Sequence, residues 1–313
     1  VTAGIEPDTG VGGLTLGGGI GFLCRKLGLT IDNLVGAQVV LADGNLVEAS
    51  ETSHPDLFWA LRGGGGQFGI VTRFDFRVHA IGPEVVVGHA YYPLDKARDV
   101  MRYVRDFMHD ASDDVTLVPA FMKVPPVEPF PPEQHGQPCV AIIACHVGNP
   151  AVAKAEVQPL LELEDMIFGF VDTMPYLEFQ KTFAGSSPKG GRYYWKSIFV
   201  DDLENDLVDV MVDGIRTLPG EYTLVFMETL GGAVSRVGLR SPPSPTAAPA
   251  IISVFRPAGS IAPTMTPQWR PAGRGSSGSS PFPTAPSIST ISTATKRPAP
   301  ARASVPITSG CAR

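Results

Sequence analysis

Two glycine clusters are the residues in this sequence best suited to chemistry. Gly10-Val11-Gly12-Gly13 runs on to Gly17-Gly18-Gly19-Ile20-Gly21, and Gly63-Gly64-Gly65-Gly66 runs through Gln67 and Phe68 to Gly69-Ile70-Val71. Residues without a Cβ let backbone N–H groups approach a phosphate or a flat ring where any side chain would clash. Tight packing or turns is the other use of such clusters. Gly64, Gly66 and Gly69 match the G-x-G-x-x-G dinucleotide spacing, but a strand follows them and no acidic residue closes the unit, which argues against a Rossmann NAD site. Six histidines show neither metal-ligand nor triad spacing, so no metal site is expected. His89 and His146 fall in predicted strands and read as sheet residues. Cys24, Cys139, Cys145 and Cys311 suit neither a disulfide framework nor a zinc site. Glu228, on a strand with alternating neighbours, is a candidate general base.

The elements that must position these residues change texture near position 83. Before it, Phe22 to Leu27 reads as a helical turn or two, Ala37 to Ala42 and Leu46 to Ala49 as strands joined by the turn dipeptide Asp43-Gly44, and Asp56 to Arg62 as a short helix. Ile70 to Val78 alternates, which predicts a half-buried strand with Ile70, Thr72, Phe74, Phe76 and Val78 on one face. After it, strands are predicted at Val85 to Tyr92, Val115 to Val124, Val140 to Val147, Arg192 to Val200 and Tyr222 to Leu230. Helices are predicted at Lys96 to Met108, Ala151 to Leu163 and Asp206 to Leu218. The proline-rich stretch Pro125 to Pro138 predicts a mobile surface loop. The fold class expected is α+β: an antiparallel sheet with helices on one face. It is preceded by a glycine-rich segment over 1–82, extends over 83–237, and is followed by a disordered tail over 238–313.

Composition bounds the function. Hydrophobic residues make up 43% and charged residues 18%, and no apolar run approaches the ~18 residues of a membrane span, so the chain reads as soluble with no membrane partner. Its first residue is Val1 and no leader-like segment is visible, which suggests a fragment or processed form. Eight of the 25 Lys and Arg residues, but none of the 31 Asp and Glu, lie after Val237. An acidic body argues against nucleic acid, and the basic charges of the tail are scattered among Pro, Ser and Thr without aromatic interleaving. No protein partner is indicated.

The run Gly10 to Gly21, then Gly28-Leu29 with Asp32-Asn33, then Asp43-Gly44, resembles the berberine-bridge-enzyme-like FAD-linked oxidases of the vanillyl-alcohol-oxidase superfamily. So does His54-Pro55-Asp56-Leu57-Phe58-Trp59-Ala60-Leu61-Arg62 with the glycines and Gln67 to Thr72 that follow. The resemblance implies the second half of a PCMH-type FAD-binding domain over 1–82, an antiparallel-sheet substrate domain over 83–237, and FAD as cofactor. By that similarity Thr9, Gly10, Val11, Gly12, Gly13, Leu16, Gly17, Gly18, Gly19 and Gly21 line the cofactor, with Gly66, Phe68, Gly69, Ile70 and Val71 as a second wall. Tyr194 and Lys196 lie on a strand that faces the flavin in the family, and join Glu228 as catalytic candidates. The implied reaction oxidises an alcohol, a sugar or a secondary metabolite, with hydride passing to flavin and O₂ as acceptor. The alternatives are an inactive remnant of that family and a nucleotide-binding module.

Three departures qualify the resemblance. The family's N-terminal FAD subdomain, whose histidine often bonds to the flavin, would lie upstream of Val1. No cysteine precedes Gly10, where Glu6-Pro7-Asp8-Thr9 stands instead, so FAD is expected to be bound without a covalent link to this chain. The family's closing Tyr-x-Asn strand and Asn-Tyr-x-Arg-Leu helix are missing from the tail. Codons compatible with Pro281 to Arg313, read in a shifted frame, can spell both. A frameshift near Val237 would then account for the charge asymmetry and the lost periodicity together.

Overall fold

A computed structural model describes residues 2–184, 191–200, 202–217, 223–236 and 250–260, with backbone alone for 191–192 and 250–260. All of these fall within one compact unit, Val1–Thr264. The first strands, β1 (Leu34–Val40), β2 (Leu46–Ser50) and β3 (Ile70–Phe76), form an antiparallel sheet in the order β2-β1-β3. Helices α1 (Val11–Leu16), α2 (Cys24–Leu27) and α3 (Pro55–Leu61) belong to the same stretch of chain. Leu16, Leu34, Ala37, Val39, Ala49, Phe58 and Leu61 make its core.

The expectation that Ile70, Phe74 and Phe76 share a face is corrected by a bulge. Val39 pairs with Val71 but Gln38 pairs with Arg73, so Thr72 is the extra residue. One extra residue reverses the parity of the strand. Val71 therefore packs with Phe74 and Phe76 in the core, while Ile70 is 72% exposed.

A seven-stranded sheet follows, in the order β7-β4-β6-β5-β9-β10-β8 with every pairing antiparallel. Its strands are β4 (Glu84–Pro93), β5 (Val115–Lys123), β6 (Pro138–His146), β7 (Phe168–Pro175), β8 (Gly191–Val200), β9 (Leu224–Thr229) and β10 (Ala250–Ser260). The helices are α4 (Ala97–Asp110), α5 (Pro150–Val157), α6 (Tyr176–Lys181) and α7 (Asn205–Thr217). Residues from α4, α5 and α7 bury against Ala90, Leu117, Ile142, Val225 and Met227 on one face. The opposite face carries Val85, Val87, Val118, Ile143 and Cys145, covered by Phe179 of α6 and by Phe22 and Leu23 from the glycine-rich segment. The N-terminal segment thus reaches over the large sheet.

Two elements differ from the sequence reading. Ala250–Ser260 pairs with β9 on one side and β8 on the other, which corrects the expectation of a disordered tail over 238–313 for these residues. The rest of the tail, 238–249 and 261–313, lies outside the described residues, and the frameshift and disorder expectations lie there with it. The Pro125 to Pro138 stretch is irregular but anchored. Phe130 is 7% exposed and meets Tyr91 edge-on at 4.7 Å, because an aromatic ring in a polar loop gains most by entering the neighbouring apolar cluster.

Candidate functional site

α1 packs beside the 3-10 turn Gly65–Phe68, so the fold brings the two glycine clusters together. Their glycines divide by what a Cβ would meet. At Gly10, Gly13, Gly63, Gly65 and Gly66 nothing lies within 4 Å of the Cβ position. At Gly19 a Cβ would strike Thr30, at Gly21 the carbonyl oxygen of Ala3, and at Gly69 it would stand 2.6 Å from the carbonyl oxygen of Val40. A Cβ at Gly12 would lie 3.6 Å from the Phe74 ring and one at Gly17 3.4 Å from the Gly13 carbonyl oxygen, and Gly18 adopts a left-handed φ of 121°. The first class leaves a surface that another molecule can approach. The second is glycine because the protein itself is already there.

The expected cofactor residues divide the same way. Thr9, Gly10, Val11, Gly13, Gly66, Phe68 and Ile70 are exposed, whereas Leu16 and Val71 belong to the first core. Beside the second cluster, the buried Nε of Arg62 has no hydrogen-bond partner, and its guanidinium lies 5.3 Å over the Phe58 ring. Open glycines, exposed apolar side chains and an unanswered donor fit a large, flat, acceptor-rich group.

Across the large sheet, one register row runs Phe170, His89, Ile143, Val118. The hydroxyl of Thr229 bonds the backbone of Leu117 in both directions, which sets Glu228 level with Val118 on the adjacent strand. Glu228 shares its face with Phe226, which packs on the cluster containing Phe22 and Leu23. Burial pushes its carboxyl up to about 7. Cys24 of α2 lies close enough for the carboxylate to disfavour its thiolate, and burial takes that thiol up to about 12. His89 is 6% exposed and stacks on Phe170 at 4.9 Å; burial lowers its imidazole to about 4, so it is neutral at pH 7.

Tyr194 and Lys196 do not join Glu228. Ile198 and Val200, which share their parity on β8, pack against the helix-side core, whereas Trp195 of opposite parity meets Phe226 edge-on at 6.0 Å. Tyr194 and Lys196 therefore look away from the face that carries Glu228, with Lys196 Nζ 5.9 Å over the Tyr194 ring. Sequence reasoning passed over Arg25, a buried cation on α2; only the convergence of distant carbonyls marks it. Among the described residues no cluster of His, Cys, Asp and Glu could hold a metal ion, and no helix is long and apolar enough to cross a membrane.

Comparison with known proteins agrees with this geometry. Residues 1–50 match the family model described as FAD binding domain. An FAD-linked oxidoreductase of Dictyostelium discoideum is 30% identical over 75% of this chain and 49% of its own length. The xylooligosaccharide oxidase from Myceliophthora thermophila, solved in complex with xylobiose, superposes with a TM-score of 0.66 at 25% identity, covering 82% of this chain and 56% of that one. A variant of berberine bridge enzyme shares the fold, with a TM-score of 0.68 at 22% identity over 82% of this chain and 53% of that one. The match to an FAD binding domain and the shared fold make this chain similar to the FAD-linked oxidoreductases. In fold it is like the berberine bridge enzyme and the oligosaccharide oxidases. It spans about half the length of the curated relatives it matches.

Proposed function

We propose that this chain carries the second half of the FAD site and the substrate domain of an oxidase that converts an alcohol carbon of a sugar or secondary metabolite to a carbonyl. The observation that carries the reading is the convergence of two distant glycine clusters, with open glycines in both and Val11, Phe68 and Ile70 exposed in the same stretches of chain. Backbone amides at Gly10 to Gly13 and Gly65 to Gly66 hold the cofactor, and the three apolar side chains exclude water from it. FAD, when bound, supplies the hydride acceptor and passes the electron pair to O₂. Glu228, on the sheet face that the glycine-rich segment covers, takes the hydroxyl proton as the carbon gives up its hydride; its raised carboxyl makes it a stronger base once ionised. The named activities of relatives, a xylooligosaccharide oxidase and a glucooligosaccharide oxidase, favour a carbohydrate substrate.

Gly66→Val provides the test. Its φ is not left-handed and its Cβ side is empty, so the variant should melt with the parent yet bind no FAD after reconstitution, read from flavin absorbance on the desalted protein. Equal flavin retention in parent and variant would remove the cradle. Peroxide release from a xylo-oligosaccharide by the reconstituted parent, absent in Glu228→Gln, would support the oxidase chemistry.

A further inference from the structure

Arg25 is buried, 6% exposed, on the one-turn helix α2. Its Nε donates to the carbonyl of Val115 at 2.8 Å and Nη1 to that of Leu230 at 2.6 Å, while Nη2 reaches the carbonyls of Ala111 and Ser112 at 3.5 and 3.4 Å. Next to it, Lys26 Nζ pairs with Asp114 at 2.6 Å. The turn after β9 is moulded around the same residue. The Ala233 N–H donates to the Arg25 carbonyl at 2.6 Å, and Gly231 and Gly232 both take left-handed φ. A Cβ at Gly231 would stand 2.9 Å from Nη1, and one at Gly232 would strike the Arg25 carbonyl. Taking a guanidinium out of water carries a desolvation cost that an apolar residue would avoid, even with Asp113 and Glu156 near enough to favour its charge. What the planar fork offers in return is simultaneous hold of several acceptors in fixed directions.

Those acceptors are the start of β5 and the end of β9. Leu230 lies two residues beyond Glu228, and α2 continues directly from the glycine run, whose Gly18 and Gly19 carbonyls accept from Ile31 and Thr30. The geometry points to Arg25 as a positioning residue that fixes Glu228 relative to the glycine cradle, by clamping the end of β9 to the segment that leaves that cradle. This rests on the reading of Glu228 as the base. Facing Glu228 from α2 are Cys24 and, beyond it, Arg25; from β5 the neighbouring positions are Thr116 and Val118, which carry no charge; Tyr176 of α6 lies near Cys24, its hydroxyl pushed far up by burial. On β10, Ile251 is the backbone partner of Glu228. A change in how Glu228 titrates when Arg25 is altered therefore reports water admitted by a loosened clamp.

The test follows the Glu228 carboxyl by carbon-13 NMR in the full chain, with Glu228→Gln to assign it. Arg25→Lys keeps the charge but loses the fork; its Glu228 should titrate about one pH unit lower than in the parent, toward the ordinary carboxylate range. Arg25 also lines a cavity of about 800 Å³ bounded by α4, Leu203 and the Gly231-Gly232 turn, through which added guanidinium can reach its slot. Guanidinium should return the Glu228 titration of Arg25→Ala to the parent value. A folded Arg25→Lys with parental titration would overturn the proposal, as would an Arg25→Ala that regains its melting point with guanidinium but not the titration. If Arg25→Ala does not fold, Arg25→Lys decides alone. Should the titrations shift as expected while Glu228→Gln reduces flavin as fast as the parent, the base role falls and the clamp stands.

Discussion

Burial alone raises Glu228 to about 7 from an ordinary 4.5, so its charge changes near neutral pH. Between those two values the folded chain holds a proton that the unfolded chain has released. Stability from this group is therefore complete below about pH 4.5 and is lost as pH rises through 7. Glu228→Gln should leave stability unchanged at pH 4 and raise it by about 1–3 kcal/mol at pH 8, read from urea denaturation at both values. Turnover should change in the opposite sense, growing with pH as the carboxylate forms. At Gly21 the expectation is purely structural. Gly21→Ala pushes a methyl group into the Ala3 carbonyl and should lower the melting temperature whether or not FAD is present. The glycine spacing was legible in the sequence. Which glycines are open was not, because Thr30 and Ala3 are brought to Gly19 and Gly21 only by the fold. The alternation on β8 was also legible, but which parity faces the covered side depends on Trp195 meeting Phe226 across the sheet.

Among the elements, the strands with unbroken alternation or β-branched runs could be read directly, as β4, β5, β6 and β9 show. β7 went unread because Gly169, Asp172 and Pro175 interrupt its apolar positions, yet it lies at the sheet edge where such residues are tolerated. β10 lies within the stretch expected to be disordered, because its apolar run is isolated in sequence; its pairing comes from neighbours on both sides. Cutting the chain after Val237 should thus do more than trim a tail. Among the described residues β8 pairs with β10 alone, so its amides should lose hydrogen-exchange protection in that truncation and keep it in a chain ending after Ser260. The anchored proline loop gives a second expectation. Phe130→Ala should cost about 3 kcal/mol and open Pro125 to Pro138 to protease, while the parent loop resists cutting.

At the scale of the molecule, the glycine-rich segment and the large sheet share a core. Phe22 meets Phe179 edge-on at 4.6 Å and stacks on Phe183 at 5.3 Å, and Arg25 and Lys26 add polar ties a few residues later. Such a shared core should unfold as one unit. Phe22→Ala should lower the transition seen by fluorescence from the large sheet and by far-ultraviolet circular dichroism together, by about 3–5 kcal/mol. Two separate transitions would show that the first sheet folds by itself.

The strand order has a further consequence, in time rather than in space. β8 leaves the ribosome before β9, but among the described strands its neighbour is β10, made last of them. Until that strand arrives, the ten-residue ribbon that carries Tyr194, Trp195 and Phe199 waits for its β10 partner. The yield of the chain on expression should therefore respond to the speed of translation between codons 200 and 260 and to added chaperone.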